Sequence, residues 1–335
     1  ETSYMSLKLK SPVILGASDL VSDPDLLKKA EEQGAAAVVY KSLFEEQIQI
    51  ENLQHDEKIS QYNDLNAEMI TLHPDIERSD IEYYLVKLRK VKESLSIPVI
   101  ASLNCVNESS WFRYAKMIEE TGVDAIELNL YQIPVNFDLD AATIEQRQAD
   151  IVAAIKQQLS IPVSVKLSSD YTNILHFASR LDQTGIDGMV LFNAFFQPDV
   201  DIWHENHRRA FNLSNKGDYK KSLRYAGMLY GRIKADICSS RGIYNGNDVI
   251  KVLLSGASCV QMVSAVYRHG IEQIGEVNRE IADWMQRKEY DHIDQFRGKL
   301  SDSVINKNNT LFIYKRAQYI DALLHSDAML ENLEW

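Results

Sequence analysis

Eight short apolar runs, each followed by a stretch with the period of an amphipathic helix, constrain the fold of this chain most strongly. The runs are rich in Val, Ile and Leu and do not alternate with polar residues, which is typical of parallel strands covered on both faces. They lie at residues 12–17, 36–40, 99–103, 125–130, 163–167, 189–192, 237–238 and 259–263. This succession of strand–helix units predicts an α/β fold, a (β/α)₈ TIM barrel.

The alternative architecture for such a pattern is an open, doubly wound sheet. Sheets of that kind bind nucleotides through a glycine-rich turn between a strand and a helix. None of the strand–helix junctions carries the G-x-G-x-x-G pattern or a Walker-type loop. The barrel is therefore the preferred prediction.

The last two strand–helix units, residues 236–270, predict a phosphate-binding edge. Each strand ends in small residues just before a helix, at Ser239-Ser240-Arg241-Gly242 and at Ser264-Ala265. Small side chains allow an oxyanion to approach backbone N–H groups, and a helix N-terminus favours negative charge. In (β/α)₈ barrels, strands seven and eight hold phosphate in this way.

Composition limits the partners. The 335 residues are 45% hydrophobic, enough for one large core, and the formal net charge is −12. An acidic surface disfavours nucleic acid and anionic membranes, and no apolar run approaches the ~20 residues of a membrane span. The three cysteines have neither metal-ligand nor disulfide spacing. We expect a cytoplasmic protein with a small-molecule substrate and without a metal, nucleic-acid or membrane partner.

Polar side chains occur where the predicted strands end, on the side of a barrel that carries active sites. They are Ser18, Lys41, Ser42, Asn104, Asn129, Lys166, Asn193, Ser240 and Ser264. An ammonium is rarely buried without a partner, so the lysines indicate a functional site; the alternative is a rim lysine that reaches solvent. Asparagine amides suit the carbonyls and ring nitrogens of a flat heterocycle, unless they serve only as structural turn amides.

These residues resemble those of class 1 dihydroorotate dehydrogenases, which are FMN-containing (β/α)₈ enzymes. The chain is more similar to their divergent dihydroorotate dehydrogenase-like relatives, which carry the segment S-L-F-E-E-Q-I found here at residues 42–48. The similarity runs from about Leu7 to Leu300 and includes the segment Y-D-H-I-D-Q-F-R-G-K-L at residues 290–300.

The resemblance implies which residues bind FMN and substrate. It places one group beside the flavin, a second group at the FMN phosphate through backbone N–H groups, and one residue at the substrate. The flavin group is Ala17, Ser18, Lys41, Ser42, Asn129 and Lys166; the phosphate group is Gly242, Ile243, Ser264 and Ala265; the substrate residue is Asn193.

The chain departs from the family at the catalytic base. The family loop N-L-S-C-P-N begins at Asn129, but Tyr131-Gln132 stand in place of its Ser-Cys pair. In the family, that cysteine takes a proton from dihydroorotate while hydride passes to the flavin. Gln132 cannot act as a base. Tyr131 is the candidate, although phenols ionise near pH ~10 and are weak bases at neutral pH.

Further departures lie in the cofactor loops. The family's glycine-rich flavin and substrate loop is replaced by Lys220 to Arg224, and Arg241 adds a charge beside the expected phosphate. The cofactor site therefore follows the family pattern better than the substrate site.

The sequence thus predicts an FMN-dependent oxidoreductase that acts on CH–CH groups, as in the step from dihydroorotate to orotate in pyrimidine biosynthesis. Lys166 and Lys41 would stabilise negative charge on the flavin, and residues 45–77 and 131–142 would shape a lid. We expect one barrel domain over residues 1–300 and a C-terminal extension, 301–335, packed on or near it. The family also suggests a homodimer.

Two other functions stay open. One is an aldolase-type barrel in which Lys166 forms a Schiff base with a carbonyl substrate. The other is a flavin-binding protein without turnover, which the missing cysteine would permit.

Overall fold

A computed structural model describes residues 1–46, 48, 80–193, 197–208, 213–305, 314 and 324. Eight parallel strands close into a barrel, with helices between them. The predicted (β/α)₈ fold is confirmed.

The barrel strands agree with the apolar runs of the sequence. They are β3 (Val13–Leu15), β4 (Ala37–Phe44), β5 (Val99–Asn104), β6 (Ala125–Asn129), β7 (Val163–Leu167), β8 (Gly188–Leu191), β11 (Asp236–Ser240) and β12 (Cys259–Met262). Around the barrel they lie in the order β11-β12-β3-β4-β5-β6-β7-β8. Two hairpins lie outside the barrel: β1 (Thr2–Tyr4) with β2 (Leu7–Leu9), and β9 (Asp199–Asp201) with β10 (Asn206–Arg208).

The described helices surround the barrel. They are α1 (Pro24–Glu32), α2 (Asp80–Ser94), α3 (Glu108–Glu119), α4 (Ala141–Gln158), α5 (Ile174–Gln183), α6 (Tyr219–Leu229), α7 (Gly246–Ser255), α8 (Ser264–His269), α9 (Gln273–Arg287) and α10 (Asp302–Ile305). Short 3₁₀ turns cover Asp19–Ser22 and Ile293–Gln295.

Local capping fixes two helix starts that the sequence predicts. The Asp23 side chain accepts hydrogen bonds from the backbone N–H groups of Asp25 and Leu26, and Pro24 occupies the first position of α1. Asn245 and Asp248 form a reciprocal capping box at α7. Both helices therefore begin where the sequence signals place them.

Strand β4 differs from the prediction. The expected run at 36–40 continues to Phe44, and the pairing with β5 shifts register between Tyr40 and Leu43. Lys41 and Ser42 thus form a β-bulge inside the strand rather than a tail after it. Bulges re-aim side chains and are common beside active sites.

The first hairpin closes the amino end of the barrel. Tyr4 and Met5 are each 1% exposed and pack among inward-facing barrel residues. The Met5 N–H donates to the Asp236 carboxylate at 2.9 Å. A Cβ added at Gly188 would lie 2.7 Å from the Tyr4 hydroxyl oxygen. Because this hairpin covers the amino end, the carboxyl end of the barrel is the open end.

The domain boundary at residue 300 stays a prediction. Most of the segment 301–335, and residues 47 and 49–77 of the predicted lid, lie outside the described residues. The Tyr314 hydroxyl donates to the Leu300 carbonyl at 2.6 Å. No helix within the described ranges is long and apolar enough to cross a membrane.

Candidate active site

Two adjoining cavities open at the carboxyl ends of the strands. The larger has a volume of about 500 Å³, within the range of small-molecule sites. The predicted residues that line it are Ala17, Ser18, Lys41, Ser42, Asn129, Tyr131, Lys166, Asn193 and Ser264. Folding therefore gathers residues from six strand ends into one space.

The smaller cavity, about 220 Å³, extends toward the last two strands. It shares Ala17, Lys166, Asn193 and Ser264 with the larger one and adds the turn Ser240-Arg241-Gly242-Ile243. Ala265 is fully buried and lines neither cavity. The turn at residues 240–243, part of the predicted phosphate edge, lines only the smaller cavity.

The β4 bulge holds Lys41 and Ser42 at the wall of the larger cavity. The Tyr84 hydroxyl donates to the Lys41 carbonyl at 2.8 Å, and the hydroxyls of Ser42 and Ser102 are 2.7 Å apart. Tyr84 and Ser102 are buried. These contacts fix the backbone that carries both predicted residues.

An amide network joins three strand ends. The Asn104 side chain donates to the Asn129 carbonyl at 2.6 Å, and the Asn193 side chain donates to the Asn129 side-chain oxygen at 2.7 Å. Asn129 and Asn193 both line the larger cavity, so their hydrogen bond holds this pair of amides in a defined arrangement at the cavity wall.

Lys166 enters the barrel lumen and is held there by two side chains. Its ammonium donates to Gln261 Oε1 at 2.8 Å and lies 3.4 Å from Glu127 Oε1. Sequence reasoning missed both partners. The available signal was a polar residue in the middle of each of two mostly apolar strands, Glu127 in β6 and Gln261 in β12.

The phosphate edge includes a serine that the sequence did not single out. The Ser214 hydroxyl accepts from the Gly242 N–H at 2.9 Å and donates to the Ser264 hydroxyl at 2.8 Å. Arg241 lies 3.7 Å from the Asp218 carboxylate. Ser214 therefore brings the segment before α6 against both predicted phosphate turns.

Comparison with known proteins decides the family. The sequence model of the family described as "Dihydroorotate dehydrogenase" matches residues 76–285, more than half of the chain. The chain belongs to the dihydroorotate dehydrogenase family. The resemblance inferred from the motifs is thereby confirmed.

Curated relatives cover most of the chain at low identity. "Dihydroorotate dehydrogenase B (NAD(+)), catalytic subunit" of Thermoplasma volcanium is 28% identical over 302 residues, 89% of this chain and 97% of that protein. Its counterpart of the same name in Methanocaldococcus jannaschii is 27% identical over 86% of this chain and 94% of its own length. "Putative dihydroorotate dehydrogenase A (fumarate)" of Aeropyrum pernix is 31% identical over 63% of this chain and 68% of its own length.

The dihydroorotate dehydrogenase family uses FMN, and the cavity residues fit that group. The Nε atom of Arg241 is buried and has no hydrogen-bond partner within the described part of the chain, so it can donate to an anion. The serine hydroxyls at 214, 240 and 264 line the same narrow cavity. At the wide end, a lysine and paired amides supply the donors and acceptors that a flavin ring needs.

The two residues at the family's Ser-Cys position point in different directions. Tyr131 lines the larger cavity. Gln132 is exposed, lines neither cavity and accepts a hydrogen bond from the Gln148 side chain at 3.1 Å. Gln148 in turn accepts from the Tyr171 hydroxyl at 2.8 Å. Gln132 thus anchors the loop to α4.

No cysteine takes the place of the family's base. All three cysteines are buried and none lines either cavity. Burial raises the pKa of the Cys105 and Cys259 thiols, which opposes thiolate formation. Their burial fits a role in packing.

Proposed function

We propose that this protein is an FMN-dependent oxidoreductase acting on a CH–CH bond of a small cyclic substrate of the dihydroorotate type. The observation that carries the proposal is the continuity of the two cavities. The larger cavity is lined by Lys166 and the Asn129–Asn193 pair, and it adjoins the narrow cavity, which is lined by Arg241 and the serine hydroxyls.

The narrow end would hold the FMN phosphate. Gly242 and Ile243 on one side, with Ser264 and Ala265 on the other, would supply backbone N–H groups, and Arg241 would add a positive charge. Because the Gly242 N–H already bonds to Ser214, the Ser214 hydroxyl would either remain as a bridge to the phosphate or move aside. Serine and arginine thus replace part of the family's glycine-rich cradle.

The wide end would hold the flavin ring and the substrate. FMN, when bound, supplies a hydride acceptor. Ala17, Ser18 and Ser42 would lie beside the ring, and Lys41 and Lys166 would stabilise the negative charge that develops there. In the lid, residues 131–142 would cover the substrate.

The substrate would be oriented by Asn193 and Asn129. Tyr131 is the candidate to move the substrate proton, because it lines the cavity and no thiol does. The amide of Gln132 would act only by anchoring the loop that carries Tyr131. A homodimer is also proposed, following the family.

The alternatives make different predictions for the purified protein. A Schiff-base lysine would have to give up the contacts of Lys166 with Gln261 and Glu127, which disfavours the aldolase-type reading. A flavin-binding protein without turnover would be yellow but inert.

Absorbance and anaerobic reduction distinguish these functions. We expect the protein to copurify with FMN and the bound flavin to bleach on addition of a reducing substrate. Dihydroorotate and other cyclic amides would be tested as donors, and NAD⁺ and fumarate, which the relatives' names contain, as acceptors. A colourless protein that cannot be loaded with FMN would contradict the proposal; trapping of a carbonyl substrate by borohydride would favour the aldolase reading.

Gly242→Val is expected to lower FMN retention. Gly242 has a φ of +63°, and a Cβ there would lie 2.6 Å from both the Asn215 carbonyl oxygen and the Asp218 backbone nitrogen. The segment carrying Ser214 would therefore be pushed out of place at the phosphate edge. FMN occupancy would be measured by the ratio of flavin to protein absorbance.

Gly122→Val is the matched control for this substitution. Gly122 also has a positive φ, +84°, but a Cβ there would meet nothing within 4 Å. Both variants carry backbone strain of ~1–3 kcal/mol, whereas only Gly242→Val disturbs the cavity. Equal FMN occupancy in the two variants would contradict the phosphate placement.

A further inference from the structure

Three polar side chains meet inside the barrel below the larger cavity. Glu127 lies on β6, Lys166 on β7 and Gln261 on β12, the strand opposite β6 in the barrel order. The Gln261 Nε2 amide donates to Glu127 Oε2 at 2.5 Å, while its Oε1 accepts from Lys166 at 2.8 Å. Gln261 therefore bridges the carboxylate and the ammonium across the lumen.

The carboxylate of this cluster is almost completely enclosed. The Glu127 side chain is 1% exposed and the Lys166 side chain 12% exposed. Glu127 Oε1 has no hydrogen-bond partner within the described residues, and Lys166 is the cation beside it, at 3.4 Å. A buried carboxylate is costly unless a cation compensates it, so the ion pair and the Gln261 bridge keep the charge in place.

The ammonium of Lys166 lies between this carboxylate and the cavity. Lys166 lines both cavities, whereas Glu127 lines neither and Gln261 lines only the narrow one. A molecule in the cavity would therefore experience the field of a lysine whose charge is partly cancelled from behind. The field of Glu127 is weakly screened, because the residue is enclosed by protein.

We propose that Glu127 is a positioning residue that holds Lys166 through Gln261 and, by its charge, lowers the reduction potential of the bound cofactor. This inference rests on the proposed function. Lys166 alone would favour the electron-rich, reduced form of FMN. The negative charge of Glu127 weakens that preference, so the reduced cofactor can still pass its electrons to the acceptor. It contacts neither substrate nor cofactor.

Glu127→Gln tests the charge. Glutamine keeps the size of the side chain and an acceptor for Gln261, but removes the negative charge. A unit charge acting across roughly 10 Å of protein changes a binding constant on the order of tenfold. We therefore expect the affinity for reduced FMN to rise about tenfold relative to that for oxidised FMN. This change raises the reduction potential of a two-electron couple by ~30 mV.

The measurement is a redox titration of the FMN-loaded protein, combined with fluorescence titration of oxidised FMN. Glu127→Asp keeps the charge and is expected to stay near the wild-type potential. Asp236→Asn is the control, because the partly buried Asp236 carboxylate accepts from the Met5 N–H and the Ser258 hydroxyl at the amino end of the barrel, outside both cavities. Its potential should equal that of the wild type.

A double variant keeps the inference testable if Glu127→Gln alone does not fold. Lys166→Met with Glu127→Gln removes both charges together, so its potential should lie closer to the wild type than that of Lys166→Met alone. An unchanged potential in Glu127→Gln, or equal potentials in the single and double Lys166 variants, would overturn the inference. A protein that binds no FMN at all would overturn the proposed function itself, and this inference with it.

Discussion

Lys166→Ala is expected to weaken FMN binding and to destabilise the barrel at the same time. The ammonium lines both cavities, and it is the cation beside the enclosed Glu127 carboxylate. Its removal leaves a buried charge without compensation, and breaking a buried ion pair in this way typically costs about 3–5 kcal/mol. The cavity loses a donor in the same step.

Two measurements check this result. Urea denaturation would report the free energy of unfolding, and fluorescence titration would report FMN affinity. Lys156→Ala is the control, because Lys156 pairs with Asp187, where both side chains are partly exposed. Pairs that are open to solvent contribute only about 0–1 kcal/mol, and Lys156 lines neither cavity.

The combination of effects distinguishes a functional lysine from a rim lysine. Reduced stability and reduced FMN affinity together would support the proposed role. Wild-type values in both measurements would return Lys166 to the interpretation of a side chain that merely reaches solvent.

Dihydroorotate is expected to reduce the flavin of this protein slowly. Oxidation of the substrate requires a proton to leave one carbon as hydride leaves its neighbour. A positioned base contributes ~10²–10⁴-fold in rate, or about 3–5 kcal/mol of barrier. Gln132 cannot supply it, and its side chain is directed to Gln148. The rate, measured by anaerobic stopped flow, should fall short of that of a cysteine-containing relative by a factor in this range.

Substitutions at the two loop positions separate the possible causes. Tyr131→Phe should abolish the residual reduction, because Tyr131 lines the cavity and Gln132 does not. Tyr131→Cys places a thiol at the cavity wall, so it should increase the rate of flavin reduction more than Gln132→Cys does. FMN affinity serves as the control for an intact site. Reduction of the natural protein at the rate typical of the family would contradict the argument from the missing base, and survival of activity in Tyr131→Phe would place the base elsewhere.

Local sequence patterns determined the barrel and the set of strand-end residues. Buried parallel strands need apolar residues on both faces, and helix starts need side chains that accept backbone N–H groups, so both signals lie within a few residues of the element they specify. Asp23 and Asn245 cap helices where the sequence predicted. The family also followed from the sequence, because its motifs occur in order along the chain.

Tertiary structure alone decided how those residues are arranged. Glu127 and Gln261 are 134 positions apart and meet only because their strands face each other across a closed barrel. The bulge that aims Lys41 depends on the register of β4 against β5, and the direction of Gln132 depends on Gln148 of α4. Each of these features is a contact between segments that are distant in the sequence. A local pattern of neighbouring residues does not specify which distant segments meet.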